Sequence, residues 1–184
     1  MLDYKMKIAG LDRSLPLCKL NDEVYIAAFV IFGDAELTVA AAAALLERAP
    51  EYDYLLTAEA KGIPLAHELA RQRDDSKYFV ARKSPKLYMT GLFSVDVDSI
   101  TTESRQKLYL DTADAALIRG KRILLVDDVV STGNSLAALE KLTEAAGGAI
   151  AGRMSILAEG DAQKRGDIVY LEKLPLFKPD GTII

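Results

Sequence analysis

The chain has 184 residues, 50% of them hydrophobic and 27% charged, which excludes a disordered tail and suits one α/β domain with a sizeable core. Its formal charge of −4 excludes a broad basic face, so neither nucleic acid nor an anionic membrane surface is an expected partner. A single cysteine, Cys18, excludes an internal disulfide and a Cys-rich zinc site, and one histidine, His67, leaves His-based metal clusters and Ser-His-Asp triads almost nothing to draw on.

The N-terminus, Met1-Leu2-Asp3-Tyr4-Lys5, lacks a basic-then-apolar signal pattern. The apolar runs 25–32 and 39–46 fall far short of the roughly 20 residues a membrane-spanning helix needs, so a soluble, cytoplasmic protein is expected. Residues 24–32, β-branched and aromatic, predict a strand or a well-packed extended segment. Asp34 then caps an Ala-rich helix that runs to Arg48, with Pro50 as its stop. A strand over 52–58 leads into a helix over 63–73 that carries His67 in a structural role, and a third strand follows at 78–81. Residues 84–106 hold Pro85, Gly91 and a polar run, with no sustained period, and read as a long loop or loose hairpin, closed by a strand at 108–110. Ile123 to Val126 is the strongest strand signal. Leu136, Leu139, Leu142 and Ala146 mark one face of the helix after it, which ends at Gly147-Gly148. Strands at 150–157 and 168–171 complete the alternation. The fold class is therefore α/β, a single domain with a mainly parallel central sheet flanked by helices, its core about 34–158. The ends, about 1–33 and 159–184, fit the alternation poorly and are expected to form a small hood at one edge.

The most informative stretch runs from Ile123 to Ser135. A buried strand ends in Asp127-Asp128, two apolar residues (Val129, Val130) come next, and then Ser131-Thr132-Gly133-Asn134-Ser135 opens a helix. Ligands in an open α/β sheet sit beyond the carboxyl ends of the strands, where this turn must lie. Gly133 lets backbone approach a ligand, and the amides of 131–135 emerge from a helix N-terminus that favours an anion. Two acids beside a phosphate repel it unless they bind sugar hydroxyls, or Mg²⁺ through water. The spacing fits neither a Walker A loop nor a Gly-x-Gly-x-x-Gly turn.

The run Val126 to Ser135 resembles the signature of type I phosphoribosyltransferases, which bind 5-phosphoribosyl 1-pyrophosphate (PRPP). The resemblance implies that Asp127 and Asp128 hold the ribose and touch Mg²⁺ through PRPP or water, while 131–135 cradle the 5′-phosphate. Glu59-Ala60-Lys61-Gly62 stands where the family keeps its pyrophosphate loop, in the form seen in adenine and xanthine members. A cis peptide is expected there at Ala60–Lys61. Arg82-Lys83, with Lys86 nearby, resembles the basic pair that purine-type members place against pyrophosphate. Residues 84–106 match the family's closing loop in position but lack its usual Ser-Tyr pair, for which the run 99–104 is the substitute.

The same resemblance implies Mg²⁺-dependent transfer of phosphoribose from PRPP to a purine base, in purine salvage, by a homodimer. Asp127, Asp128, Lys61, Arg82 and Lys83 would carry the catalysis. Adenine is the first choice, because Ser131 stands where hypoxanthine–guanine members have an aspartate; xanthine, guanine and orotate come after it. A PRPP- or nucleotide-sensing regulator without turnover is the reading from another class. Tyr25, Glu159 and Phe177 are the guesses for base contacts.

Overall fold

The computed structural model describes residues 2–97 and 106–184. Its first strands, β1 (Asp3–Ile8) and β2 (Leu11–Lys19), form an antiparallel hairpin closed at the Ile8–Leu11 pair. The two turn residues, Ala9 and Gly10, both take positive φ, as a tight hairpin turn requires. An alanine at the first of them gives no turn signal in the sequence, which is why this hairpin was not among the expected elements. β3 (Tyr25–Ala27) pairs with β2 and with β11 (Leu176–Phe177), so the two ends of the chain meet in one four-stranded sheet.

Of the run 24–32 only Tyr25–Ala27 is strand, and the rest is the well-packed extended segment that the composition equally allows. After Ala28 donates to the Pro16 carbonyl the segment has no strand to pair with. Its alternation persists because Phe29 and Ile31 turn into the core while Val30 and Phe32 face outward. α1 (Ala35–Leu46) begins at Asp34, whose carboxylate accepts from the Leu37 amide at 3.0 Å. The same carboxylate takes Arg13 at 2.6 Å, so one residue caps the helix and ties the N-terminal hairpin to it.

β4 (Tyr54–Ala58), α2 (Gly62–Arg73) and β5 (Phe79–Ala81) stand where the spacing predicts them. β6 (Leu92–Val97) and β7 (Gln106–Asp111) pair antiparallel, so the hairpin alternative holds for the described part of 84–106; the run 99–104 lies outside the described residues. α3 (Thr112–Ile118) has no counterpart among the expected elements. Asp111 caps it through the Ala113 amide at 2.9 Å, and Ala115 and Ile118 bury its inner face. β8 (Arg122–Val130), α4 (Asn134–Ala145), β9 (Ala149–Glu159) and β10 (Val169–Leu174) complete the chain, with a short 3₁₀ turn at Gly160–Lys164.

The central sheet has the order β10-β9-β8-β4-β5, and every pairing in it is parallel. Alternate residues along β4 and β8 feed two apolar layers. Leu55, Leu124 and Val126 pack with α1, α2 and the four-stranded sheet. Leu56, Ile123 and Leu125 pack with α3, α4 and β7. No helix among the described residues is long and apolar enough to cross a membrane.

Candidate active site

Taken in chain order, the parallel strands stand 2-1-3-4-5 across the sheet. From β4 the chain moves outward to β5, then crosses back to β8 on the other side of β4. The crossovers therefore diverge between β4 and β8, and a crevice opens at the carboxyl ends of these two strands. The sequence places its two most distinctive turns there: Glu59-Ala60-Lys61-Gly62 after β4, and residues 127–135 at the end of β8.

The structure joins these turns. Lys61 Nζ stands 3.1 Å from Asp128 Oδ2; the ammonium is half exposed and the carboxylate buried. Asp127 is half-buried beside it and accepts the Asp128 backbone amide at 2.9 Å. Burial removes water from Asp127 and the neighbouring Asp128 charge adds repulsion, and together they push its carboxyl up to about 7. The Asp128 amide and the Lys61 charge pull the other way. The acids fall inside β8 rather than beyond it, so sheet hydrogen bonding fixes their backbone.

Gly62 makes the close approach possible. A Cβ built on it would lie 2.1 Å from Thr57 Oγ1 and 3.3 Å from Asp127 Oδ1. Thr57 is fully buried and β-branched, so its hydroxyl has little room to yield. Gly62→Ala should therefore cost about 1–3 kcal/mol of stability by overpacking. Urea unfolding of Gly62→Ala in the parent and in a Thr57→Ala background checks the cause: the loss should shrink when the hydroxyl is gone, and an equal loss in both would refute the clash.

At the end of β8, Ser131, Thr132 and Gly133 turn the chain into α4. Gly133 takes φ +80°, and no side chain hydrogen-bonds the helix start as its cap. Thr132 Oγ1 offers the Asn134 amide only a long contact of 3.5 Å. The first amides of a twelve-residue helix are thus left facing a polar cleft lined by Asp127 and residues 129–136. Val130 is among the residues that line this cleft. Its side chain is buried in the layer under α4.

The basic residues are gathered by Glu59. Its carboxylate accepts the Lys83 amide at 3.0 Å and lies 3.1 Å from Arg82 Nη2 and 3.7 Å from Lys86 Nζ. The Lys83 amide, helped by the two cations, holds the Glu59 carboxyl below its usual range. Arg82 is further fixed by a backbone bridge to Tyr109, while its buried Nε has no hydrogen-bond partner among the described residues. Arg82 and Lys86 thus pair with Glu59, while among the described residues Lys61 is the cation paired with the acid pair. The cis peptide is found at Glu59–Ala60, one bond earlier than expected. Glu59 still extends the sheet, its amide donating to the Ala81 carbonyl, and the chain turns immediately after it.

Phe177 is core: it is 1% exposed and packs on Tyr4 with ring centroids 5.0 Å apart, so it is unavailable to a base. Tyr25 is partly buried against the same apolar layer. Glu159 ends β9 near the crevice, and burial raises its carboxyl against the pull of Lys61. His67 is exposed on α2 and lies edge-on to the Tyr78 ring. Thr57 and Arg165 also stand beside the two turns, and nothing in the sequence marks them. A threonine inside an apolar strand and an arginine in a late polar turn carry no local motif.

Among the described residues no group of three or more His, Cys, Asp or Glu is placed to hold a metal ion. The adjacent carboxylates of Asp127 and Asp128 can instead touch a hydrated divalent cation that arrives on a polyanionic ligand.

A family model for the phosphoribosyl transferase domain matches residues 33–172. The hypoxanthine/guanine phosphoribosyltransferase of Methanococcus voltae is 35% identical over 131 residues, which cover 71% of this chain and 66% of that protein. Its counterpart in Methanocella paludicola is 32% identical, covering 71% and 64%. The chain thus matches slightly less than two thirds of these relatives' length. In structure it resembles adenine phosphoribosyltransferase from Thermoanaerobacter pseudethanolicus, with TM-score 0.63, 23% identity and coverage of 78% of this chain and 84% of that one. It also resembles the Giardia lamblia enzyme, with TM-score 0.60, 17% identity and coverage of 94% and 93%. These likenesses establish the fold. With the family model spanning well over half of it, the chain belongs to the phosphoribosyl transferase domain family.

Proposed function

We propose that the protein transfers 5-phosphoribose from PRPP to a purine base, releasing pyrophosphate. The observation that carries this reading is the contact of Lys61 with Asp128, which brings the loop after β4 and the acid pair of β8 to one crevice beside an uncapped helix N-terminus. In the transfer, the bond from the ribose C1 to pyrophosphate oxygen breaks, a bond from C1 to a base nitrogen forms, and the proton of that nitrogen is released. Asp127 and Asp128 hold the ribose hydroxyls and favour positive charge on the sugar. The amides and hydroxyls of 131–135 hold the 5′-phosphate. Lys61, Arg82 and Lys83, with Lys86 behind them, face the charge that develops on the leaving group. Asp127 and Asp128 would reach a Mg²⁺ ion bound with PRPP through PRPP itself or through water, and the ion would supply positive charge against the pyrophosphate.

Adenine is the acceptor we place first, since Ser131 supplies a hydroxyl where a carboxylate would be needed to meet the purine N7. The relatives in sequence are named for hypoxanthine and guanine, which makes those bases the second reading. Pyrophosphate release, with PRPP and Mg²⁺ against each purine and orotate separately, tests both. Turnover with adenine supports the first choice, and turnover with hypoxanthine or guanine alone replaces it. Clear PRPP binding with no turnover would turn the reading to a sensor. Absence of PRPP binding would overturn it.

A further inference from the structure

Arg165 comes just after the short 3₁₀ turn that leaves β9, a turn anchored by buried Ala162 and by the Arg165 amide donating to the Ala162 carbonyl. Its guanidinium is gripped along one edge by Asp167: Nε donates to Oδ1 at 3.0 Å and Nη2 to Oδ2 at 2.7 Å. Glu140 of α4 approaches the same edge, 3.9 Å from Nη2. The other terminus is placed differently. Nη1 lies 2.9 Å from where a Cβ on Gly133 would stand, directly beside the turn that opens α4, and it has no acceptor among the described residues.

An exposed Arg–Asp pair by itself contributes little, about 0–1 kcal/mol, and asks for no particular orientation. Here the planar fork is oriented, with two donors committed to Asp167 and the remaining NH₂ directed at the backbone that carries the uncapped amides. Glycine at 133 also leaves that NH₂ room to come close. A rigid guanidinium beside a helix N-terminus is suited to a phosphomonoester, to which it donates charge-assisted hydrogen bonds.

We propose that Arg165 is a binding residue for the 5′-phosphate of the phosphoribosyl group, in PRPP and in the nucleotide product alike, and that Asp167 is its positioning residue. This rests on the reading of residues 131–135 as the phosphate turn. It adds a cation from outside that turn, where the acids Asp127 and Asp128 otherwise set a negative field.

Calorimetric titration of the full chain with ribose 5-phosphate, Mg²⁺–PRPP and inorganic pyrophosphate tests it in the parent, Arg165→Ala, Arg165→Lys and Asp167→Asn. Loss of one charge-assisted contact corresponds to roughly a tenfold to hundredfold weakening. Arg165→Ala should show that loss for ribose 5-phosphate and PRPP, with pyrophosphate affinity and the unfolding midpoint unchanged. Arg165→Lys should recover part of it, and Asp167→Asn should lose less than Arg165→Ala. If the alanine variant does not fold, Arg165→Gln replaces it. A parent that binds neither ribose 5-phosphate nor PRPP overturns the phosphoribosyl reading itself. A parent that binds both, with Arg165→Ala or Arg165→Gln within twofold of it, overturns only the role of Arg165. Equal losses for ribose 5-phosphate and pyrophosphate overturn that role too, because they report a general disturbance of the crevice.

Discussion

Replacing Asp127 and Asp128 together by asparagine is expected to lower kcat/KM for PRPP by roughly a hundredfold to ten-thousandfold while the fold survives. A hydrogen bond from a ribose hydroxyl to a carboxylate is worth about 1.5–3 kcal/mol, and two are lost. Asparagine keeps the shape of each side chain and can still accept the Asp128 backbone amide that Asp127 Oδ1 takes now. Lys61 loses its carboxylate partner, but its half-exposed ammonium can turn to water at little cost. The loss therefore falls on ligand binding and on the charge of the reacting sugar. Fluorescence or calorimetric titration with Mg²⁺–PRPP, beside a circular dichroism spectrum, checks it. An affinity within threefold of the parent would remove the acids from ribose binding and with them the proposed mechanism.

The acid pair and the turn after it were legible because they make a local pattern: an apolar strand, two carboxylates, then small hydroxyl residues around a glycine that takes φ +80°. Each of those features has a local cause. The contacts that complete the crevice have none. Lys61 reaches Asp128 because β4 lies beside β8, a neighbourhood set by the crossover from β5. Arg165 stands over Gly133 because the turn after β9 folds back across the carboxyl end of the sheet. The same holds for the basic pair. Arg82 and Lys83 read as free cations in the sequence, but pairing of β4 with β5 puts Glu59 among them. That placement pairs the Arg82 charge with a carboxylate and holds the Lys83 backbone beside it. Phe177 failed in the other direction, since adjacency to a chain end says nothing about which layer a side chain enters. The parallel sheet itself was readable from period and punctuation. The β1–β2 hairpin was hidden by its Ala9-Gly10 turn, and α3 by having only two buried residues in its span.

Removing the Asp127 charge alone is expected to make the ligand-free protein more stable at neutral and alkaline pH, although it weakens the site. Burial and the Asp128 charge raise the Asp127 carboxyl from 3.8 to about 7 in the folded state. Between those values the folded chain holds a proton that the unfolded chain has released. Stability then falls as pH rises across the window, at up to about 1.4 kcal/mol per pH unit, and is flat beyond it. The sign is opposite to that of an ordinary paired carboxylate such as Asp53, which Arg122 holds down to about 2 and which favours folding as pH rises out of the acid range. Asp127→Asn removes the titration. Below about pH 3.8 the side chain is neutral in the folded and the unfolded parent alike, and there the two proteins should unfold at nearly the same temperature. At pH 8 the variant should be the more stable by up to a few kcal/mol, where each kcal/mol moves the midpoint of a domain of this size by roughly 2–4 °C. Mg²⁺–PRPP should reverse the order at pH 8, because it stabilises the parent by binding to the charged pair and the variant hardly at all. A stability difference that does not change between pH 5 and pH 8 would mean that Asp127 holds no extra proton in the folded state. A crossing of the two proteins on adding Mg²⁺–PRPP would show that folding stability at this site is given up for a charge that only the ligand satisfies.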